Sequence, residues 1–275
     1  MHEQTEDEKF FPFDPRTTEY SGDNALILAD AARLAYKNPT IIKGKIIEEW
    51  KFTNFQFCDH DHTQAFIGGN EECIIISFRG TEPKVFGDWI TDAKVLPVDG
   101  PGGKVHSGFS EGLGNVWRQL LSCLKEFQNN NQSLWFTGHS LGGALATLAV
   151  ARMITEQKKT VNGLYTFGQP RTGFEDFAQS FAPLFNDKTF RFVNNNDIVP
   201  CVPPKKIGYL HVGKLLYFTS RGKLCTRLPW WKILLDKIRG EVENLGNFGP
   251  DMLLDHNENT YVDLMKKNTE INPRW

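Results

Sequence analysis

Apolar side chains recur with helical spacing near the start of the chain and with strand-like patterns soon after it. Apolar positions from about residue 25 repeat every three to four residues until Lys37-Asn38-Pro39, which predicts a helix that begins near Asp23. Residues 50–57 then alternate roughly between aromatic and polar types. The almost wholly apolar run Cys73–Phe78 is typical of a strand buried on both faces of a sheet.

The same two patterns continue along the rest of the chain. Further strands are predicted over 63–67, 134–137, 163–167 and 189–193, and helices over about 113–127, 141–156 and 173–182. Strands that alternate with helices indicate an α/β fold with a mostly parallel central sheet flanked by helices. Residues 1–18 read as an N-terminal arm, and no linker divides residues 19–275, which we expect to form a single domain.

Charge, apolar runs and cysteine content limit which partners and compartments the chain is expected to have. The chain of 275 residues carries 31 basic and 33 acidic side chains, without a basic stripe, so nucleic acid is not an expected partner. No apolar run is long enough to cross a membrane, which needs about 18 residues. The five widely spaced cysteines predict no disulfide framework. With no signal-peptide pattern at residues 1–15, the compartment stays open between the cytoplasm, which the cysteines favour, and secretion after removal of a leader.

The strongest chemical signal is the run Gly138-His139-Ser140-Leu141-Gly142-Gly143. It contains GxSxG between a β-rich run and a helix of small residues, which is the context of a nucleophile elbow. The serine there must occupy a sharp turn to expose its hydroxyl, and small residues at 138 and 142 let the neighbouring backbone pass close to it. Ser140 is therefore the candidate nucleophile; the alternative is a Gly-Ser turn that merely caps a helix.

A nucleophilic serine needs a general base and an acid that orients it, and in α/β-hydrolases the chain order is Ser, Asp or Glu, then His. Of the seven histidines only His211 and His256 follow Ser140, and His139 is expected to be turned away by the direction of the strand. Asp197 begins the loop after the strand predicted over 189–193, where catalytic groups of open α/β sheets collect. An ordinary turn aspartate is the alternative interpretation of Asp197.

Seven short blocks follow one another in order along the chain. They are Phe78-Arg79-Gly80-Thr81, Asp88-Trp89-Ile90-Thr91-Asp92, Val105-His106-Ser107-Gly108-Phe109, Gly138–Gly143, Phe167-Gly168-Gln169-Pro170-Arg171, Asn196-Asp197-Ile198-Val199-Pro200 with Pro203-Pro204 and Tyr209-Leu210-His211, and Leu254-Asp255-His256. Taken together, over residues 20–265, these blocks resemble the class 3 lipases, the fungal-lipase-like α/β-hydrolases.

The resemblance implies an α/β-hydrolase fold with a short lid helix and a triad of Ser140, Asp197 and His256. His211 would then lie near the site without being the base. The oxyanion donors implied are the backbone N–H groups of Thr81 and Leu141. Residues implied to support the site or the lid are Asp92, Trp89, His139 and His211. The reaction implied is hydrolysis of carboxylic esters through an acyl-serine, as in a triacylglycerol lipase or carboxylesterase, with no metal or organic cofactor.

Two other segments keep two interpretations each. Residues 83–94 carry apolar side chains at near-helical spacing, which fits a lid that swings toward a lipid surface or a helix packed permanently on the core. Residues 230–242 have the same two interpretations, and packing is favoured. Cys58-Asp59-His60-Asp61-His62 contains metal-ligand residue types, but their spacing favours a turn between antiparallel strands.

Three functional alternatives to an acylglycerol lipase remain at this point. Phospholipase A1 and feruloyl esterase activities would use the same triad. A non-catalytic lipid-binding scaffold would keep the fold and lose the chemistry. The expected partner is therefore an acyl ester or lipid, with transient contact with a lipid surface through the lid.

Overall fold

A computed structural model of the chain describes residues 11–81, 96–226 and 255–273. Within these ranges six α-helices alternate with twelve strands. The helices are α1 Gly22–Leu34, α2 Pro39–Glu48, α3 Ser107–Phe127, α4 Leu141–Thr155, α5 Glu175–Phe185 and α6 Glu258–Lys266. The strands are β1 Asn54–His60, β2 Thr63–Gly69, β3 Cys73–Phe78, β4 Pro97–Gly100, β5 Gly103–His106, β6 Ser133–His139, β7 Gly163–Phe167, β8 Gly173–Phe174, β9 Thr189–Asn194, β10 Tyr209–Leu210, β11 Lys214–Phe218 and β12 Leu224–Cys225.

An eight-stranded sheet in the order β1-β2-β3-β6-β7-β9-β11-β12 forms the centre of the molecule. Strands β3, β6, β7, β9 and β11 run parallel, and β1, β2 and β12 pair antiparallel at the two ends. The predicted α/β fold with a mostly parallel sheet is therefore confirmed. The lid helix expected within residues 83–94 and the segment 230–242 lie outside the described residues.

The core lies on both faces of this sheet because neighbouring strand residues point to opposite sides. Ile74 and Ile76 pack with α3, α4 and α5 in one apolar cluster, while Ile75 packs with α1, α2 and α6 in the other. Phe13, in the segment predicted as an arm, is buried in the second cluster with its ring 5.1 Å from that of Trp135. The division into arm and domain stays a prediction.

Several elements differ from the sequence-based expectation. Asn38 and Pro39 do more than end the first helix, because the Asn38 side chain accepts a hydrogen bond from the Thr40 N–H and caps α2 with proline at its start. β1 begins at Asn54 rather than at residue 50, since Trp50 and Phe52 pack in the core before the strand. A separate sheet in the order β10-β8-β5-β4 was not predicted, because its strands have two to four residues.

The parallel topology places the segments that follow four neighbouring strands at the same edge of the sheet. The carboxyl ends of the adjacent strands β3, β6, β7 and β9 lead directly into Arg79, Ser140, Gly168 and the loop that contains Asp197. No helix in the described ranges is long and apolar enough to cross a membrane.

Candidate active site

Ser140 forms the turn between β6 and α4. Its backbone has φ 57° and ψ −131°, a conformation that residues other than glycine rarely adopt and that is common at functional sites. The turn is held by hydrogen bonds from Ser140 N to the Phe167 carbonyl at 2.9 Å and from Gly143 N to the Ser140 carbonyl at 3.0 Å. Its hydroxyl is buried and has no hydrogen-bond partner among the described residues.

Glycines surround this turn because backbone segments meet there without room for a side chain. A Cβ atom at Gly142 would lie 2.1 Å from the Phe78 carbonyl oxygen, and one at Gly138 would lie 2.3 Å from the Gly142 carbonyl carbon. These contacts are far shorter than van der Waals distances. The small residues of the motif are therefore required by the packing of β3 and α4 against β6.

Asp197 and His256 form a buried pair although 59 residues separate them. His256 Nδ1 lies 3.0 Å from Asp197 Oδ1 and 2.9 Å from Oδ2. Each residue is 4% exposed. A carboxylate in this position orients the imidazole and selects the tautomer that carries its proton on Nδ1.

Tyr261, on the first turns of α6, completes the environment of Asp197. Its hydroxyl donates to Asp197 Oδ2 at 2.6 Å and accepts from the Asn194 N–H at 2.9 Å, while the Val199 N–H donates to Asp197 Oδ1 at 2.9 Å. Burial, followed by the charge of Asp197, raises the pKa of Tyr261 well above its usual value, so the phenol remains a donor. No sequence motif pointed to Tyr261; only its proximity to His256 in the chain offered a signal.

His139 does not turn away from the site as expected. Its Nε2 donates to the His256 carbonyl at 2.6 Å, its ring centroid lies 4.5 Å from that of His256, and the Tyr36 hydroxyl lies 2.9 Å from Nδ1. Burial, followed by the nearby His256, lowers the pKa of His139 well below its usual value. A neutral ring with its proton on Nε2 satisfies both contacts. The expectation failed because the His139 ring packs beside Tyr261 of α6 and beside His256, which lies just before that helix in the chain.

The structure explains why the Gly168-Gln169-Pro170-Arg171 block begins with glycine. It has φ +59°, and a Cβ there would lie 2.7 Å from Asp197 Oδ2 and 2.9 Å from His256 Nδ1. Only glycine tolerates both the backbone conformation and this close approach. The turn after β7 therefore packs directly on the pair of Asp197 and His256.

His211 is hydrogen-bonded to Pro200, in the loop that follows Asp197. Its Nε2 lies 2.7 Å from the Pro200 carbonyl, which only accepts a hydrogen bond, so Nε2 carries the proton. Burial and then the positive charges of Arg191 and Arg171 lower the pKa of His211 well below its usual value. The carboxylate that a general base needs is therefore in contact with His256, and His211 contacts the loop that follows Asp197.

The segment Arg79–Thr81 runs beside Ser140. A Cβ at Gly80 would lie 2.6 Å from the His139 carbonyl oxygen and 3.1 Å from Ser140 Cβ, which shows how closely the two loops pack. Thr81 and Leu141 line the same surface crevice of about 610 Å³ next to this contact. Leu141 is the first residue of α4, so its N–H lies at the positive end of the helix dipole. Trp89 and Asp92 lie outside the described residues.

The histidine and aspartate run at 58–62 is a tight hairpin. Asp61 and His62 connect β1 to β2 with φ values of 47° and 63°. Two central residues with positive φ are the mark of a type I′ turn. Within the part of the chain that the structure describes, no three His, Cys, Asp or Glu side chains come together as metal ligands would.

Comparison with known proteins gives relatives of one kind. The model of the family described as lipase (class 3) matches residues 75–207. Triacylglycerol lipase OBL1 of Arabidopsis thaliana is 33% identical over 248 residues, covering 69% of this chain and 48% of that protein. A lipase of Rhizomucor miehei is 34% identical over 196 residues, covering 66% of this chain and 52% of that protein. The chain thus spans about half the length of the curated relatives that it matches.

A solved structure agrees with these relatives. It is described as a triacylglycerol lipase whose catalytic centre is formed by a serine protease triad. The two structures superpose with a TM-score of 0.55 at 29% identity, over 71% of this chain and 78% of the other. The fold, the ordered motif blocks and these similarities lead to one conclusion: this chain belongs to the class 3 lipase family.

Proposed function

We propose that the chain hydrolyses carboxylic esters of acylglycerols, with Ser140 as nucleophile, His256 as general base and Asp197 as the acid that orients it. The observation that carries the proposal is the buried contact of 2.9 Å between His256 Nδ1 and Asp197 Oδ2. The substrate class is supported by relatives that are named as triacylglycerol lipases and as mono- and diacylglycerol lipases.

The reaction begins when the Ser140 hydroxyl attacks the ester carbonyl. His256 Nε2 takes the hydroxyl proton and then donates it to the departing alcohol, leaving an acyl-Ser140. Water attacks this ester in the second half of the reaction, with His256 again as base. The Asp197 carboxylate accepts the hydrogen bond from His256 Nδ1–H and stabilises the imidazolium that forms in each half.

The negative charge that develops on the carbonyl oxygen needs preorganised donors. The backbone N–H groups of Thr81 and Leu141 are proposed for this role, and the dipole of α4 adds to the effect of the second. Each such donor contributes about 10²–10³-fold to kcat in related chemistry. The steps use only protein side chains, backbone donors and water, so no metal or organic cofactor takes part.

Transient contact with a lipid surface belongs to the same proposal. It rests on the apolar spacing within residues 83–94 and on the resemblance of Asp88–Asp92 to the end of a lid, since these residues lie outside the described ranges. A rate that rises once a short-chain triacylglycerol exceeds its solubility would support the contact. A rate that stays proportional to dissolved substrate would contradict it.

The decisive experiment compares wild type with Ser140→Ala on p-nitrophenyl butyrate and palmitate. We expect wild type to cleave at least one ester and the variant to lose about 10⁴-fold or more in kcat. A fluorophosphonate should label wild type and leave the variant unlabelled. A folded wild type that cleaves neither ester and takes no label would contradict the proposal in favour of a lipid-binding scaffold. Equal activity of the two proteins would exclude Ser140 as the nucleophile.

A further inference from the structure

Asp255 stands directly before the proposed general base and binds the loop that carries the proposed acid. Its Oδ2 accepts a hydrogen bond from the Asn196 N–H at 3.1 Å, and its Oδ1 lies 3.4 Å from Asn194 Nδ2. The same Asn194 amide group donates to the Asp255 backbone carbonyl at 2.9 Å. The residue before His256 therefore contacts the residue before Asp197.

The loop that Asp255 contacts is a tight turn at the end of β9. The Asp197 N–H donates to the Asn194 carbonyl at 2.8 Å, which closes the turn. Inside the turn, the Asn196 N–H points to the Asp255 carboxylate. This hydrogen bond fixes the peptide unit that leads into Asp197, because a backbone N–H held by a carboxylate limits the rotation of its peptide plane.

A second contact holds the same segment from the side of the proposed nucleophile. His139 Nε2 donates to the His256 carbonyl at 2.6 Å, and His139 directly precedes Ser140. Residues 255–256 are thus bound by the neighbour of Ser140 on one side and by the neighbour of Asp197 on the other. The backbone of His256 is positioned relative to both.

An ion pair does not account for the position of Asp255. In the described parts of the chain, no lysine, arginine or histidine side chain pairs with its carboxylate. Burial, followed by Asp197, raises the pKa of Tyr261, and the charge of Asp255 adds to this effect, so two carboxylates act on one phenol. Like charges placed close together repel each other. The hydrogen bonds that Asp255 accepts, rather than charge neutralisation, therefore explain its place.

We propose that Asp255 is a positioning residue: its carboxylate holds the turn of Asn196 against the segment of His256, so that Asp197 stays within hydrogen-bond distance of His256 Nδ1. The inference rests on the proposed ester hydrolysis at Ser140. A shift of about 1 Å in a reacting group can cost about 10²-fold in rate. A smaller loss is expected here, since the hydrogen bonds of Asn194 and His139 to backbone carbonyls do not depend on the carboxylate.

The kinetic test compares Asp255→Ala with Asp255→Asn, which keeps an oxygen acceptor for the Asn196 N–H. With p-nitrophenyl butyrate, we expect Asp255→Ala to lower kcat about tenfold and to leave KM within about twofold, whereas Asp255→Asn stays within about threefold of wild type. Asp263→Ala is the matched control, because this exposed aspartate of α6 makes only an ion pair of 3.5 Å with Lys266. Equal losses in Asp255→Asn and Asp255→Ala, or an unchanged kcat in Asp255→Ala, would overturn the inference.

The proton between His256 Nδ1 and Asp197 gives a readout that needs no catalysis. A proton in a short, charge-assisted hydrogen bond is strongly deshielded, so it should give a far-downfield ¹H NMR signal that is absent from His256→Gln. Asp255→Asn should keep this signal, and Asp255→Ala should shift or broaden it. An unchanged signal in Asp255→Ala would contradict the positioning role.

Urea denaturation establishes that each variant is folded under the assay conditions. If Asp255→Ala is unfolded there, Asp255→Ser takes its place, because its hydroxyl reaches less far than the carboxylate, and the same losses are expected. A folded wild type without esterase activity would refute only the proposed function, since the NMR signal still decides whether Asp255 positions the pair.

Discussion

Ser140 and the Asp197–His256 pair are held in opposite ways. The turn at Ser140 depends on neighbours in the chain, since Gly138, Gly142 and the start of α4 all lie within a few residues of it. The pair depends on contacts between segments that lie 59 residues apart in the chain, with Tyr261 at a separation of 64 residues from Asp197. A local backbone geometry thus presents the proposed nucleophile, whereas tertiary hydrogen bonds assemble the proposed acid and base.

This difference predicts which substitutions should disrupt each part of the site. The turn at Ser140 should respond to changes of backbone and volume, because its glycines leave no free space. The pair should respond to the loss of single hydrogen bonds, because a buried carboxylate and imidazole rely on their partners. His139 joins the two parts, since it precedes Ser140 in the chain and donates to the His256 carbonyl.

The largest expected effect is on the turn at Ser140. Gly142→Ala would bring a Cβ to 2.1 Å from the Phe78 carbonyl oxygen, so β3 or α4 must move. We expect the free energy of unfolding to fall by about 3 kcal/mol, at the upper end of overpacking costs. Urea denaturation measures it. The matched control, Gly114→Ala in α3, has nothing near its Cβ and should gain about 0.5–1 kcal/mol from helix propensity. Equal responses of the two variants would refute the steric account.

The second largest effect is expected from a change next to the Asp197–His256 pair. Tyr261→Phe removes the donor to Asp197 Oδ2 and the acceptor for the Asn194 N–H. We expect a loss of about 2 kcal/mol in the free energy of unfolding, as for a hydrogen bond to a charged group, and a roughly tenfold lower kcat with KM unchanged. Tyr217→Phe serves as control, because its hydroxyl bonds to Asn195 rather than to Asp197. If KM rises instead while kcat is preserved, Tyr261 does not act through the acid.

At pH 6, the smallest effect is the change in stability caused by titration of each buried histidine. Burial lowers the pKa of His106 to about 4 and that of His139 well below its usual value. In the unfolded chain histidine binds its proton near pH 6.5, so between these values the unfolded state holds more protons. Stability is therefore complete above about pH 6.5 and declines as the pH falls toward 4, by about 1.4 kcal/mol per pH unit for each histidine.

Urea midpoints at pH 7.5, 6.0 and 5.0 measure this slope. His106→Asn keeps an acceptor for the Gly108 N–H that the His106 side chain now caps, and removes one titrating group. The slope should then decrease by up to about 1.4 kcal/mol per pH unit, and the remainder includes His139. A slope that is the same in both proteins would show that His106 does not carry the pH dependence.

Much of the fold was predictable, and the failures have physical reasons. Continuous apolar runs such as Cys73–Phe78 and Gly163–Phe167 identified their strands to the residue, because burial on both faces leaves a strong local signal. The strand Lys214–Phe218 and the two- to four-residue strands of the small sheet were missed. The strands of the small sheet have only two to four residues, which is too short to show a strand pattern.

The sequence by itself determined the turn at Ser140, the alternating elements and the family, since each depends on neighbouring residues in a fixed order. The resemblance already implied that His256 rather than His211 is the partner of Asp197. Only the tertiary structure decided that Tyr261 and Gly168 complete that contact, and that the Asp61–His62 turn lies near Thr81. The reason is that hydrogen-bond partners of a buried charge come from whichever elements pack against it. Local sequence encodes the shape of a turn, but only packing determines which side chains meet across it.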